Sequence, residues 1–228
     1  MPYQIWNPYI ERYKKDFHVI VPILPGHNPK QKEDFISFAK TAQEFEQYYI
    51  SRYGESAYAI YAISMGGVLA ATLWQNKKLK IEKLLFDGSP LAPVNSFVRK
   101  TILRFYLNVT RKSQQRDVKT VKQIEKMFPP KYVDDFLDIL DNMTDATIKN
   151  CVEGATHFKL QETIDAGNTK IYFYHGTKMN EKLAKKSAQL ISKYYKNSVV
   201  KIFKERGHCE TMMRYPEQMI KELDEALM

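Results

Sequence analysis

The chain has 228 residues, enough for one core or for one core with an inserted subdomain. With 44% hydrophobic and 13% aromatic residues it is not a disordered chain, and no apolar run approaches the roughly 18 residues of a membrane span. The formal net charge is +9, but Lys and Arg recur through amphipathic segments such as 119–122 and 182–186, and no nucleic-acid motif accompanies them. The charge therefore reads as a Lys-rich solvated surface with weak attraction for anionic substrates.

The first six residues, Met1 to Trp6, lack the basic flank and apolar stretch of a signal peptide. Cys151 and Cys209 give neither a disulfide framework nor a metal-binding spacing, so a reducing cytoplasm is the expected location.

In chain order, residues 17–24 read as a buried strand closed by Pro25-Gly26. A helix is expected over 31–53, with apolar positions at Phe35, Phe38, Ala42, Phe45 and Tyr49, and Gly54 is placed to end it. Residues 58–63 form the next expected strand, with a helix behind it over 65–74. A third strand over 83–86 stops at Asp87-Gly88-Ser89-Pro90. Strands four and five are expected at 170–174 and 198–203, joined by a helix over 181–195, and a helix over 216–227 closes the chain. Short β-branched and aromatic runs alternating with helical segments predict a parallel α/β sheet. Between the third and fourth strands, residues 91–168 are helical in pattern and too long for a simple crossover, which reads as an inserted cap.

The chemistry concentrates at two places. Ala62-Ile63-Ser64-Met65-Gly66-Gly67 lies where a buried strand turns into a helix, the setting of a G-x-S-x-G elbow with alanine at its first position. Such a strained turn needs small neighbours; Ala62 and Gly66 are expected to supply that room, and Gly67 to ease the packing of the helix. The Met65 N–H, at a helix N-terminus, would face a developing oxyanion. Gly207-His208 follows the last strand across a short loop. Of the five histidines, His208 alone combines a late position, a strand-end loop and a flanking glycine, so it is the expected general base for Ser64.

From Trp6 to the end, the sequence resembles an α/β-hydrolase-fold protein of the carboxylesterase/lipase-like group. The matching pieces are residues 21–28 with Pro25-Gly26-His27, the elbow at Ser64, residues 85–90, Tyr174-His175-Gly176 and Gly207-His208. In that family the pair resembling Gly26-His27 is a structural turn, so His27 is not assigned to catalysis. The resemblance implies a Ser-His-acid site. It also leaves two departures.

The acid of most relatives stands three residues after a glycine like Gly176, where this chain has Met179. Two candidates remain: Glu181, which also reads as a first-turn helix acid, and Asp87, a placement some relatives use, which also reads as a turn residue before Gly88. The family fold further begins with strands, the last ending in a His-Gly motif whose loop gives a second oxyanion N–H. Met1 falls just past that point. The corresponding strand would lie between the 17–24 and 58–63 strands, so three expectations follow: a longer protein, a 17–24 strand that moves in to pair with 58–63, or another chain that completes the sheet. Loss of one oxyanion donor costs on the order of 10²–10³ in rate.

The expectations are therefore an α/β fold with a mostly parallel α/β-hydrolase sheet, flanking helices and an all-helical cap. The core spans 1–90 and 169–228, and the cap spans 91–168. The expected activity is that of a serine esterase, with an acyl-enzyme on Ser64, His208 as base, Glu181 or Asp87 as acid and Met65 as oxyanion donor. Cap aromatics such as Phe97, Phe105, Tyr106 and Phe158 would roof the site. No cofactor or metal is expected. The expected partner is a small-molecule acyl substrate, with no nucleic acid and no membrane insertion, and self-association is left open. Alternatives are a thioesterase, an aminopeptidase or a C–C hydrolase on the same apparatus, or a binding protein that has lost full chemistry.

Overall fold

A computed structural model describes residues 1–162, 164 and 168–228. A single turn at Tyr3–Trp6 leads into α1 (Asn7–Tyr13), followed by α2 (Phe38–Tyr53), β1 (Ser56–Ile63), α3 (Gly66–Asn76) and β2 (Lys80–Asp87). Four helices come next: α4 (Ser96–Gln114), α5 (Val118–Met127), α6 (Val133–Asn142) and α7 (Asp145–His157). The chain then returns through β3 (Lys170–Gly176), α8 (Lys182–Tyr194), β4 (Val199–Phe203), α9 (Glu210–Arg214) and α10 (Pro216–Leu227).

The strands lie in the order β1-β2-β3-β4, and every pair is parallel. Alternate residues of each strand enter different cores, as the two-residue period of a strand requires. On one face Ala62, Leu84, Phe86, Ile171 and Phe173 pack with apolar residues of α2, α3 and α8. On the other, Ile63, Leu85, Tyr174 and Phe203 pack with Tyr9 and Tyr13 of α1 and with Met212, Met219 and Leu223 of α9 and α10. The result is a sheet between two helical layers, as the composition and periodicity predict.

Local chemistry sets the helix ends. Ser37 caps α2 by accepting from the Lys40 N–H at 3.1 Å, and Gly54, at φ 79°, ends it. Asn95, Asp117 and Thr144 cap α4, α5 and α7 in the same way. The α2 start at Phe38 falls seven residues after the expected one because Ser37, not Gln31, is the capping side chain. Phe35 still reaches the core, where it is fully buried ahead of the helix.

Residues 17–24 correct the sequence reading, for they form no strand. They run without ladder partners and do not pair with β1, so β1 is an edge strand. The segment is held by side chains instead: Phe17 stacks on Tyr58 with ring centroids 5.2 Å apart, and Phe17 and Val19 join one core while Leu24 joins the other. A β-prone run becomes a strand only when a neighbouring backbone takes up its hydrogen bonds, and residues 17–24 make no ladder bonds among the described residues. The inserted helices therefore follow the second strand of the sheet. They are helical as expected, while positions 163 and 165–167 near their C-terminal boundary lie outside the described residues.

Candidate active site

Parallel strands deliver their carboxyl ends to one side of the sheet, and the candidate residues follow those ends. Ser64 comes directly after β1, Asp87 ends β2, Glu181 lies one short turn beyond β3, and His208 sits in the loop after β4.

Ser64 occupies a left-handed conformation, φ 48°, which a non-glycine residue adopts only under local constraint. Two backbone hydrogen bonds hold it there. Its N–H donates to the Asp87 carbonyl at 2.8 Å, and its carbonyl accepts from the Gly67 N–H at 3.0 Å. The crowded glycine of the elbow is Gly67, where a Cβ would stand 2.0 Å from Ser89 Oγ. Gly66 has nothing within 4 Å of that position, so the room expected from it is not used by the protein. No hydrogen bond occupies the Met65 N–H among the described residues, which leaves it open beside Ser64 at the start of α3.

His208 Nε2 lies 2.8 Å from Ser64 Oγ, and His208 Nδ1 lies 2.7 Å from Glu181 Oε1. With Glu181 ionised, Nδ1 carries the proton and Nε2 accepts from the serine hydroxyl. The second carboxylate oxygen of Glu181 accepts the Gly176 N–H at 2.7 Å, so both oxygens of this buried acid are engaged.

Glu181 reaches His208 because two loops are knitted together. The Thr177 and Lys178 N–H groups both donate to the Arg206 carbonyl at 3.0 Å, and the Glu205 N–H donates to Thr177 Oγ1 at 2.9 Å. Gly176 permits that approach, since a Cβ there would lie 2.1 Å from the Arg206 carbonyl oxygen. The clasp makes up for the two-residue displacement of the acid from the position held by Met179. Its one sequence signal was the glycine that ends β3.

Asp87 is also brought near. Its side chain is 2% exposed and accepts from Tyr61 Oη at 3.2 Å, with no hydrogen bond to His208. Burial raises its pKa to about 7, and the charge of Glu181 adds to the rise, while His208 and the Tyr61 hydrogen bond oppose it. Burial likewise works against ionised Glu181, but the hydrogen bonds from His208 and Gly176 outweigh it and hold that carboxyl below the ordinary range. For His208, burial disfavours the cation, and Cys209 and Glu181 favour it more strongly, so its pKa lies well above 6.5. Burial pushes the Cys209 thiol up to about 11, so it is neutral near pH 7 and the charge acting on His208 is that of Glu181.

The other histidines are occupied elsewhere. His27 Nδ1 lies 2.9 Å from the Pro25 carbonyl, and burial lowers its pKa to about 4. His175 is buried against the Gly176 carbonyl, His157 meets the Glu153 carbonyl, and His18 lies against Tyr53. Among the described residues no cluster of three or more His, Cys, Asp or Glu could hold a metal ion. The cap aromatics differ from expectation: Phe97, Phe105 and Tyr106 are exposed, and Phe158 packs against the core of α2 and α3.

No family model matches the sequence, and no curated protein matches it. Solved structures do. The chain is similar to an esterase from Exiguobacterium antarcticum, with a TM-score of 0.76 and 14% identity over 99% of this chain and 87% of that one. It is similar to a thermophilic esterase from Thermogutta terrifontis, with a TM-score of 0.72 and 14% identity over 100% and 86% of the two chains. MenH from S. aureus superposes with a TM-score of 0.70 and 16% identity over 97% and 87%. Across nearly its whole length, this chain has the α/β-hydrolase fold.

Proposed function

We propose that the protein is a serine hydrolase that cleaves an ester or a related acyl bond. Ser64 Oγ attacks the substrate carbonyl while His208 Nε2 takes its proton. Glu181, bonded to Nδ1, keeps the imidazole in the required tautomer and stabilises the imidazolium that forms. The Met65 N–H donates to the tetrahedral oxyanion, with the α3 N-terminus behind it. His208 then returns the proton to the leaving group, and water, deprotonated by His208, hydrolyses the acyl-enzyme on Ser64. The helices within 91–168 act as a cap over the strand ends and select the substrate's apolar part.

One observation carries this reading: the unbroken chain of contacts from Ser64 through His208 to Glu181, at 2.8 and 2.7 Å. The esterases of the same fold support an ester carbonyl as the substrate class. A fluorophosphonate probe that labels active serines tests it. Labelling of the wild type and not of Ser64→Ala supports the proposal, and equal labelling of both overturns it. A panel of p-nitrophenyl esters and aminoacyl anilides then separates esterase from peptidase action.

A further inference from the structure

The charge of the chain is unevenly placed. Residues 96–132 hold ten Lys and Arg against two acids, a local excess of eight in a chain whose net charge is +9. α4 itself contains five basic residues and no acidic one. Lys100, Arg104 and Lys112 are exposed and make no ion pair among the described residues, while Arg111 pairs with Asp145.

The same helix also carries aromatic side chains that enter neither core. Neither apolar core takes a side chain from α4, although α5, α6 and α7 each contribute to one of them. Phe97 is 77% exposed and Phe105 58% exposed. At the helical period, Phe97, Arg104 and Asn108 lie on one outward stripe, with Lys100, Phe105 and Lys112 beside it. Exposed aromatic rings set among cations suit a boundary where rings enter an apolar phase and cations stay with anionic headgroups.

We infer that the outward face of α4 docks the protein peripherally on an anionic phospholipid bilayer. Charge complementarity draws the Lys and Arg side chains to the headgroups, and Phe97 and Phe105 enter the interface. A basic surface alone would also attract RNA or an acidic protein. The exposed Phe97 and the exposed Phe105–Tyr106 pair favour lipid. The docking does not depend on the chemistry of Ser64.

Co-sedimentation with vesicles tests this. Wild type and Ser64→Ala are mixed with phosphatidylcholine vesicles or with phosphatidylcholine–phosphatidylglycerol vesicles. Both proteins are expected to pellet with the anionic vesicles alone. Binding should fall about tenfold or more between 0.05 and 0.5 M NaCl, as screening shortens the reach of the headgroup charge. Lys100→Glu/Arg104→Glu is expected to abolish it and Phe97→Ser/Phe105→Ser to weaken it several-fold, while the variants keep the wild-type melting profile. No binding to anionic vesicles, equal binding to both vesicle types, wild-type binding by folded variants, or binding to RNA in place of vesicles would each overturn the inference. The lipid and salt dependence is read on the unmutated protein, so variant folding does not cloud it.

Discussion

The N–H of Ser64 donates to the carbonyl oxygen of Asp87 at 2.8 Å, so the turn that presents the serine is pinned to the end of the neighbouring strand. The left-handed backbone at Ser64 is thus held by β2 as well as by its own helix. The nearby Gly67–Ser89 contact belongs to the same joint.

Gly67 and Gly66 should therefore respond oppositely to alanine. A methyl at Gly67 meets Ser89 Oγ at 2.0 Å and Ser89 Cβ at 2.4 Å, with Phe86 close behind. Overpacking of that kind costs roughly 1–3 kcal/mol or more, and relief would move the joint under Ser64. Gly67→Ala is expected to lower both the thermal midpoint and kcat. Gly66→Ala meets nothing within 4 Å and is expected to fold as well as the wild type. Thermal melts and ester hydrolysis on the pair check this.

The two candidate acids should separate by mutation. Glu181→Gln removes the charge that holds His208 while keeping the shape, and wrong-tautomer changes of this kind cost about 10⁴ in kcat. Asp87→Asn leaves the His208–Glu181 bond untouched, so a kcat within about tenfold of wild type is expected. Measuring kcat and KM for both decides between them, and a larger loss at Asp87 would reverse the assignment.

Activity should rise with pH through the titration of His208, because Nε2 must be unprotonated to accept the serine proton. Glu181 holds the imidazolium, so the acid limb of kcat/KM should lie above the ordinary 6.5 of a free histidine. Glu181→Gln should move that limb back down in whatever activity remains. The same pair affects stability with a definite sign. The raised His208 pKa contributes stability that is present below the unfolded-state value and lost as pH rises through the folded one. The lowered Glu181 pKa contributes stability that is present above the unfolded-state value and lost as pH falls through the folded one. Rate–pH profiles and pH-dependent melts read these two effects separately.

Much of this site was legible in the sequence because it is local. A strand running into Ser64-Met65-Gly66-Gly67, and a Gly-His pair after the last strand, are short patterns whose meaning needs no distant contact. The choice between Glu181 and Asp87 was not legible. It depends on how far the 177–181 and 204–207 loops approach, and backbone bonds to the Arg206 carbonyl set that approach. Residues 17–24 misled for the same reason in reverse. Their apolar, β-branched texture records a preference, and a strand also needs a partner backbone beside it. Likewise Phe97 and Phe105 read as roof because aromatic residues are usually enclosed, whereas their outward placement follows from how α4 packs on α6 and α7.

Asp87 supplies the last prediction, one about stability. Its carboxyl is buried, and burial lifts its pKa to about 7 from the ordinary 3.8. Between those values the unfolded chain holds Asp87 ionised while the folded protein keeps it protonated. The folded state therefore binds the extra proton, and stability from this group is full below about pH 4 and declines as pH rises through 7. At about 1.4 kcal/mol per unit, the full span is on the order of 4 kcal/mol, an upper bound for a single buried acid. Asp87→Asn removes the titration and keeps a side chain able to accept from Tyr61. It is expected to melt higher than wild type at pH 8 and to lose that advantage at pH 4. Denaturation curves at the two pH values check the sign. Equal stability differences at both would mean that Asp87 ionises in the folded protein as freely as in water, and that its burial beside Tyr61 does not govern its charge.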